Sequence, residues 1–390
     1  MSLYSRRGVS AQKEEVHQAT AKLDKGLYPF AFCKVYEDFL GKDANWINIM
    51  HADGAGTKSI LAYLYWKETG ELSVWKDIAR DAVAMNLDDL LCVGVYDNLL
   101  FSSTIDRNKS RIPGEVLQAI IEGTQEFFDE LEDFGVSIHF LGGETADVGD
   151  LVRTIAVNGT MTARWPKSRI ITNEKIGAGD LIIGVSSSGK SSYEKTYNSG
   201  IGSNGLTSAR HDVLEASYGH YYPETVEPAL DKDVIYTGNY KMTDLVKTET
   251  GEEKQVGKLL LSPTRTYAPV VKVLLEGYYD QVHGMIHSSG GGQTKCLKYL
   301  PGPMSIIKDN LFKPPVIFDL IRKSSGADDR EMFQVFNMGQ RLEIYTVPSA
   351  VDSMLKLIKE FDLDAQVIGR VENAEKKELL IDTGKNQIGY

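Results

Sequence analysis

The sequence predicts an α+β chain of two domains. Three observations carry that prediction. A length of 390 residues exceeds what one hydrophobic core usually serves. Short apolar runs and helix-length amphipathic stretches interleave in both halves. A polar connection from Trp165 to Gly179, carrying Pro166, separates the halves, so the domains are expected at 1–166 and 167–390.

Each element follows from local pattern. Trp46 to Met50 reads as a strand ending at the turn Asp53-Gly54-Ala55-Gly56-Thr57-Lys58, and Ser59 to Trp66 as a helix. Apolar Ile78, Ala82, Met85 and Leu90 recur at helical spacing between Trp75 and Leu91. Leu99 to Ile105 reads as a strand. Pro113 suits a first helical turn and Gly135 a stop, which brackets a long helix. Val136 to Leu141 is expected to be a short strand delivering a turn at Gly142-Gly143-Glu144-Thr145-Ala146-Asp147, with a further strand over Thr154 to Ala163.

In the second half, Leu181 to Val185 reads as a strand that ends at Ser186-Ser187-Ser188-Gly189. Residues 190–205 are expected to be a mobile loop, and Leu206 to Ala216 a helix. Residues 218–257 read as an irregular insertion. A helix over Pro263 to Leu275 and a strand over Gln281 to Ile286 lead to His287-Ser288-Ser289-Gly290-Gly291-Gly292. A strand at Arg341 to Val347, an amphipathic helix at Ser349 to Glu360 and a terminal strand at Val367 to Val371 complete the chain.

Composition excludes several function classes. The formal net charge of -11 argues against a nucleic-acid or anionic-membrane surface. Cys33, Cys92 and Cys296 are far apart, so neither a disulfide framework nor a thiolate zinc site is expected. No apolar run reaches membrane-spanning length and no signal peptide is visible, which fits a cytoplasmic protein.

The chemistry-bearing motifs suit a nucleotide held through a metal. Asp53 offers oxygen to Mg²⁺, Gly54 and Gly56 let the backbone approach phosphates, and Thr57 and Lys58 add a hydroxyl and a charge. The turn lacks Walker spacing. Asp88-Asp89 closes an acidic helix, and Gly143, Glu144 and Thr145 follow a strand. Asp53, the Asp88-Asp89 pair and Glu144 are therefore expected to converge on one metal–phosphate site. Ser186 to Gly189, Ser203-Asn204-Gly205 and His287 to Gly292 can bind a phosphate through hydroxyls and amides, and His287 can donate a proton, stabilise a developing negative charge or orient substrate.

The order of these motifs resembles one family. Gly8-Val9, DGAGTK, Asp88-Asp89-Leu90, GGETAD, Ser187-Ser188-Gly189, Ser203-Asn204-Gly205, Ser262-Pro263-Thr264-Arg265, Gly290 to Gly292 and Phe336-Asn337-Met338-Gly339 follow one another as in phosphoribosylformylglycinamidine cyclo-ligases, also called aminoimidazole ribonucleotide synthetases. The resemblance implies ATP- and Mg²⁺-dependent closure of formylglycinamidine ribonucleotide to aminoimidazole ribonucleotide in purine biosynthesis. It implies a homodimer whose N-terminal sheets pair into a shared barrel, with a C-terminal α/β sandwich. It assigns Asp53, Asp89 and Glu144 to the metal. Gly54, Gly56, Thr57, Lys58, Gly143 and Thr145 go to the nucleotide, Ser188, Gly189, Ser203 and Asn204 to the substrate, and Lys58 and His287 to catalysis. A related ATP-dependent enzyme on another amide or small molecule, or a non-catalytic nucleotide-binding relative, is the alternative. Gly202 stands where the family has a histidine, Gln340-Arg341 replaces small residues, and Asp88 replaces asparagine.

Overall fold

A computed structural model describes residues 3–10 and 14–390. After two short helices, α1 (Leu3–Arg6) and α2 (Glu14–Thr20), the first half builds β1 (Val35–Glu37), β2 (Trp46–Gly54), β3 (Leu99–Arg107), β4 (Ile138–Asp147) and β5 (Ile155–Pro166). These strands form one sheet in the order β1-β2-β5-β3-β4. Only β3 and β4 run parallel. Three helices cover one face: α3 (Lys58–Thr69), α4 (Val74–Leu91) and α5 (Gly114–Glu132). Alternation explains the layering, because Ile47 and Ile49 of β2 are buried while Met50 is 66% exposed.

The second half is a seven-stranded sheet with α-helices packed on it. Its strands are β6 (Leu181–Ser186), β11 (Val282–His287), β12 (Met304–Lys308), β13 (Gln340–Thr346), β14 (Ala365–Asn373), β15 (Glu378–Asp382) and β16 (Gln387–Gly389). They lie in the order β11-β13-β6-β14-β12-β15-β16. The short ladders β7 (Ser188–Gly189) with β8 (Asn198–Ser199), and β9 (Leu245–Lys247) with β10 (Glu253–Gln255), stand apart. The helices are α6 (Leu206–Val213), α7 (Ser217–Tyr221), α8 (Val256–Leu260), α9 (Ala268–Tyr278), α10 (Val316–Ser325), α11 (Asp329–Val335) and α12 (Val351–Lys359). The expected α+β architecture of two sheet-based domains is therefore present.

The insertion at 218–257 is irregular, as expected, but it is anchored. Tyr218 donates to Glu68 at 2.8 Å and Tyr63 to Glu224 at 2.6 Å, which ties the segment to α3. Val234, Tyr236 and Met242 within it are fully buried. Arg7 reaches in from the N-terminus to donate to the Val234 carbonyl at 2.9 Å.

Three expectations change. The GGETAD motif is not a turn beyond a short strand, because β4 continues through it to Asp147. Gly143 serves that pairing: an added Cβ would stand 2.0 Å from the Ser103 carbonyl oxygen on β3. The 190–205 loop is tied by the β7–β8 ladder and by Tyr193, whose hydroxyl donates to the Thr266 carbonyl at 2.9 Å. Two strands, β15 and β16, follow the strand expected to be terminal.

Candidate functional site

The DGAGTK motif sits where β2 hands over to α3, with Asp53 and Gly54 still in the strand. Asn86 of α4 fixes it from behind. Its amide nitrogen donates to the carbonyls of Asp53 at 3.0 Å, Ala82 at 2.9 Å and Gly159 at 3.2 Å. Lys58 turns inward rather than toward the turn's open side. Its fully buried ammonium donates to Asp81 at 2.8 Å and to the Ser262 carbonyl. Burial lowers its pKa, against the pull of Asp81. As arranged, Lys58 locks α3 to α4 and to the second half, and its charge is spent on Asp81.

Asp89 is the centre of a polar chain across both halves. One oxygen accepts from His287 Nδ1 at 2.6 Å, the other from His51 Nε2 at 3.1 Å. His287 Nε2 in turn accepts from Arg341 Nε at 2.8 Å. Arg341 Nη2 reaches Asp88 at 2.9 Å, and Asp88 also accepts from the Thr266 hydroxyl at 2.6 Å. Burial would raise the pKa of Asp89, but the two histidine hydrogen bonds outweigh it and hold the carboxylate below its usual range.

Hydrogen bonding assigns the two histidines different protonation states. Asn86 spends its amide nitrogen on three carbonyls, so its oxygen faces His51 Nδ1 at 3.3 Å. His51 must then donate from both nitrogens, which makes it an imidazolium. Its pKa is accordingly raised: burial opposes the charge, but Asp89 and Asp53 favour it. His287 has a donor on Nε2, so it is the neutral Nδ1–H tautomer. Burial and then the Arg341 charge lower its pKa to about 4.

The substrate-side motifs of the second half are held by their neighbours. Arg265 donates to the carbonyls of Ser186, Ser188 and Gly189 at 2.8–3.1 Å and pairs with Glu194. Asn337 donates to the Gly200 carbonyl at 2.9 Å and accepts from Ser187 at 3.0 Å. Ser203 donates to Asp81 at 3.1 Å, and Asn204 is half-buried beside it. A Cβ at Gly202 would stand 3.5 Å from Arg341 Nη1, so the arginine fills the space a larger residue there would claim.

The structure brings Asp53, Asp89, His51 and His287 together but leaves Glu144 apart. Glu144 lies in the cross-strand row Glu144, Thr104, Asn158, Gly54, three strand spacings from the end of β2. That is roughly 14 Å along the sheet. Glu144 is exposed, so within one chain the expected three-carboxylate convergence is not made. Among the described residues no group of three or more His, Cys, Asp or Glu is arranged to hold a metal. Asp53 and Asp89 nevertheless fit Mg²⁺ bound with a nucleotide, which needs only one or two carboxylates beside phosphates and water. His287 is fully buried with both nitrogens engaged, so its expected approach to a reacting amide is not open in this arrangement. Sequence reasoning missed His51 and gave Arg341 no role. His51 lies two residues before Asp53 on the same strand face, and that spacing was the available signal.

Comparison with known proteins agrees with this architecture. Residues 41–165 match the AIR synthase related protein N-terminal domain, and residues 177–382 the corresponding C-terminal domain. A Thermococcus kodakarensis protein named phosphoribosylformylglycinamidine cyclo-ligase is 30% identical over 96% of this chain and 98% of its own length. One of the same name from Methanothermobacter thermautotrophicus is 29% identical over 99% of each chain. Among solved structures, thiamine monophosphate kinase from Aquifex aeolicus superposes with a TM-score of 0.51 at 11% identity, covering 96% of both chains. T. maritima PurL complexed with FGAR gives 0.52 at 13% identity over 88% of this chain, which spans 44% of that one. With both halves matched in order, the chain belongs to the AIR synthase related family.

Proposed function

We propose that this chain is an ATP-dependent cyclo-ligase of purine biosynthesis. It closes formylglycinamidine ribonucleotide to aminoimidazole ribonucleotide and releases ADP and phosphate. The near full-length likeness to cyclo-ligases in two archaea carries the reading. Asp53 and Asp89 would hold Mg²⁺, which supplies charge neutralisation on the phosphates when bound. The Gly54, Gly56 and Thr57 backbone lets phosphates approach closely. Ser188, Gly189, Ser203 and Asn204 line the substrate side, where holding the attacking nitrogen against the activated carbon favours ring closure. Lys58 and His287 act as positioning residues, the first through Asp81 and the second between Asp89 and Arg341. Division near residue 166, a cytoplasmic homodimer, and Gly143, Glu144 and Thr145 at the nucleotide belong to the same proposal. No helix among the described residues is long and apolar enough to cross a membrane.

Purified protein tests the reading. ADP and an aminoimidazole product should form together only when formylglycinamidine ribonucleotide, ATP and Mg²⁺ are all present. ATP turnover with a different amide would replace the substrate assignment. The capped His287 favours a second reading, a relative that binds nucleotide without turnover. Tight ATP binding with no product from any purine intermediate would select it.

A further inference from the structure

Lys58, Arg265, Lys308 and Arg341 are buried cations, and each is committed to a carboxylate: Asp81, Glu194, Glu343 and Asp88 in turn. Lys295 is different. It is half-buried, yet its ammonium pairs with no carboxylate among the described residues.

The turn after His287 sets its position. The Ser289 amide donates to the His287 carbonyl at 2.8 Å, and the Gly292 amide to the Ser289 carbonyl at 2.9 Å. Only glycine fits at 292, since an added Cβ would stand 2.6 Å from the carbonyl oxygens of Phe333 and Phe336. A 3-10 helix, Gly292–Tyr299, then carries Lys295 back over the turn. Its Nζ donates to the Ser289 hydroxyl at 2.8 Å and lies 4.9 Å from the centroid of the Phe32 ring. Phe32 is stacked on Tyr299 at 4.6 Å and stands 6.4 Å from the His287 ring. The next residue, Cys33, donates its thiol to the Asp89 carbonyl at 3.1 Å. A hydroxyl and an aromatic face orient an ammonium without cancelling its charge, and Ser289 occupies one donor of three.

That charge reaches the carboxylate end of the polar chain. Burial raises the Asp89 pKa, the two histidine hydrogen bonds lower it, and Lys295 adds to the lowering. Lys295 also reinforces the burial and the Arg341 charge that keep His287 neutral. Lys58, the lysine of the glycine turn, is meanwhile locked on Asp81. The uncommitted cation beside Asp89 is therefore a residue that no motif of the sequence pointed to.

We infer that Lys295 is a further catalytic residue, contacting the phosphoryl group as it passes from ATP to the amide oxygen. The assignment rests on the proposed reaction. In that step the γ-phosphorus bonds to the amide oxygen while its bond to the β–γ bridging oxygen breaks, and that electron pair leaves with ADP. The amide keeps its N–H proton until the ring closes. Lys295 exchanges no proton; its charge and open N–H donors oppose the negative charge on the phosphoryl oxygens.

The test compares ATP with ADP, which differ by the γ-phosphoryl group alone. Calorimetry on the full chain with Mg²⁺, the amide substrate withheld, gives both affinities. Lys295→Met should weaken ATP roughly tenfold or more and leave ADP unchanged. The change strands no carboxylate, so the thermal midpoint should stay near the native one. If that variant does not fold, Ser289→Ala decides: the ammonium loses its orienting hydroxyl, and ATP but not ADP should weaken several-fold. With formylglycinamidine ribonucleotide added and ATP saturating, turnover of Lys295→Met should fall roughly a hundredfold. An equal loss for both nucleotides overturns the assignment, because the lysine would then serve the inner phosphates or the fold. Native ATP affinity or native turnover in the variant overturns it as well. Each of these results leaves the cyclo-ligase reading standing. A native protein that binds ATP but forms no imidazole product ends that reading instead. A selective loss of ATP in Lys295→Met would then still place Lys295 at the γ-phosphoryl group, and its absence would still remove it.

Discussion

Arg341 joins two buried carboxylate systems: its Nη2 pairs with Asp88 and its Nε fixes the His287 tautomer that donates to Asp89. Replacing it with methionine keeps most of the volume but strands the Asp88 carboxylate, which is 2% exposed. Removing one partner of such a pair costs about 3–5 kcal/mol. Arg341→Met should therefore lower the urea midpoint at neutral pH well beyond an ordinary surface change, and a loss under about 1 kcal/mol would show that Thr266 and Tyr267 alone sustain Asp88. Asp53→Asn tests the other end. It should remove ATP turnover while leaving the circular dichroism spectrum and thermal midpoint unchanged. Retained turnover would take Asp53 out of the site.

Helix α6 carries a pH signature. His211 is fully buried, accepts from the Tyr236 amide on Nδ1 at 3.2 Å, and has no partner on Nε2. Burial, then the Arg210 and Arg7 charges, lower its pKa from 6.5 to about 2. Between those values the unfolded chain binds a proton that the fold does not. Stability therefore rises with pH across the window and is lost as pH falls below 6.5, by roughly 2 kcal/mol at pH 5. His211→Asn keeps an acceptor for Tyr236 but cannot titrate, so the drop in urea midpoint from pH 7 to pH 5 should be smaller than in the native protein. Equal drops would place the acid sensitivity elsewhere. Elements of this kind were only partly legible in sequence. The α4 helix and β3 lie where their apolar spacing placed them, although α4 is buried on nearly every side and its carboxylates Asp81, Asp88 and Asp89 are enclosed with it. β4 runs past its expected end because Gly143 lets it pair closely with Ser103, a tertiary cause that a turn signal cannot reveal. The motif order pointed to Asp53 and Asp89, yet Lys58 and His287 looked catalytic because sequence shows residue type and not the Asp81 and Arg341 that occupy them.

At the scale of the whole molecule, the first sheet leaves one face without helices. Met50 of β2 and Leu141 of β4 are 66% and 62% exposed on the strands of that sheet. Glu144 sits on β4, the edge strand, some three strands from Asp53. If two copies pair these sheets, Glu144 of one chain can serve the nucleotide of the other, which reconciles the acidic motif with its distance from Asp53. Met50→Lys with Leu141→Lys should then shift the native dimer to monomer in sedimentation equilibrium. The decisive experiment mixes inactive variants. Asp53→Asn and Glu144→Gln chains, unfolded together in equal amounts and refolded, form heterodimers in which one of the two sites combines a native Asp53 with a native Glu144. Random pairing makes half the dimers mixed, so about a quarter of native turnover should return. Were both residues used within one chain, every site in every dimer would lack one of them, and turnover would stay at the level of the separate variants.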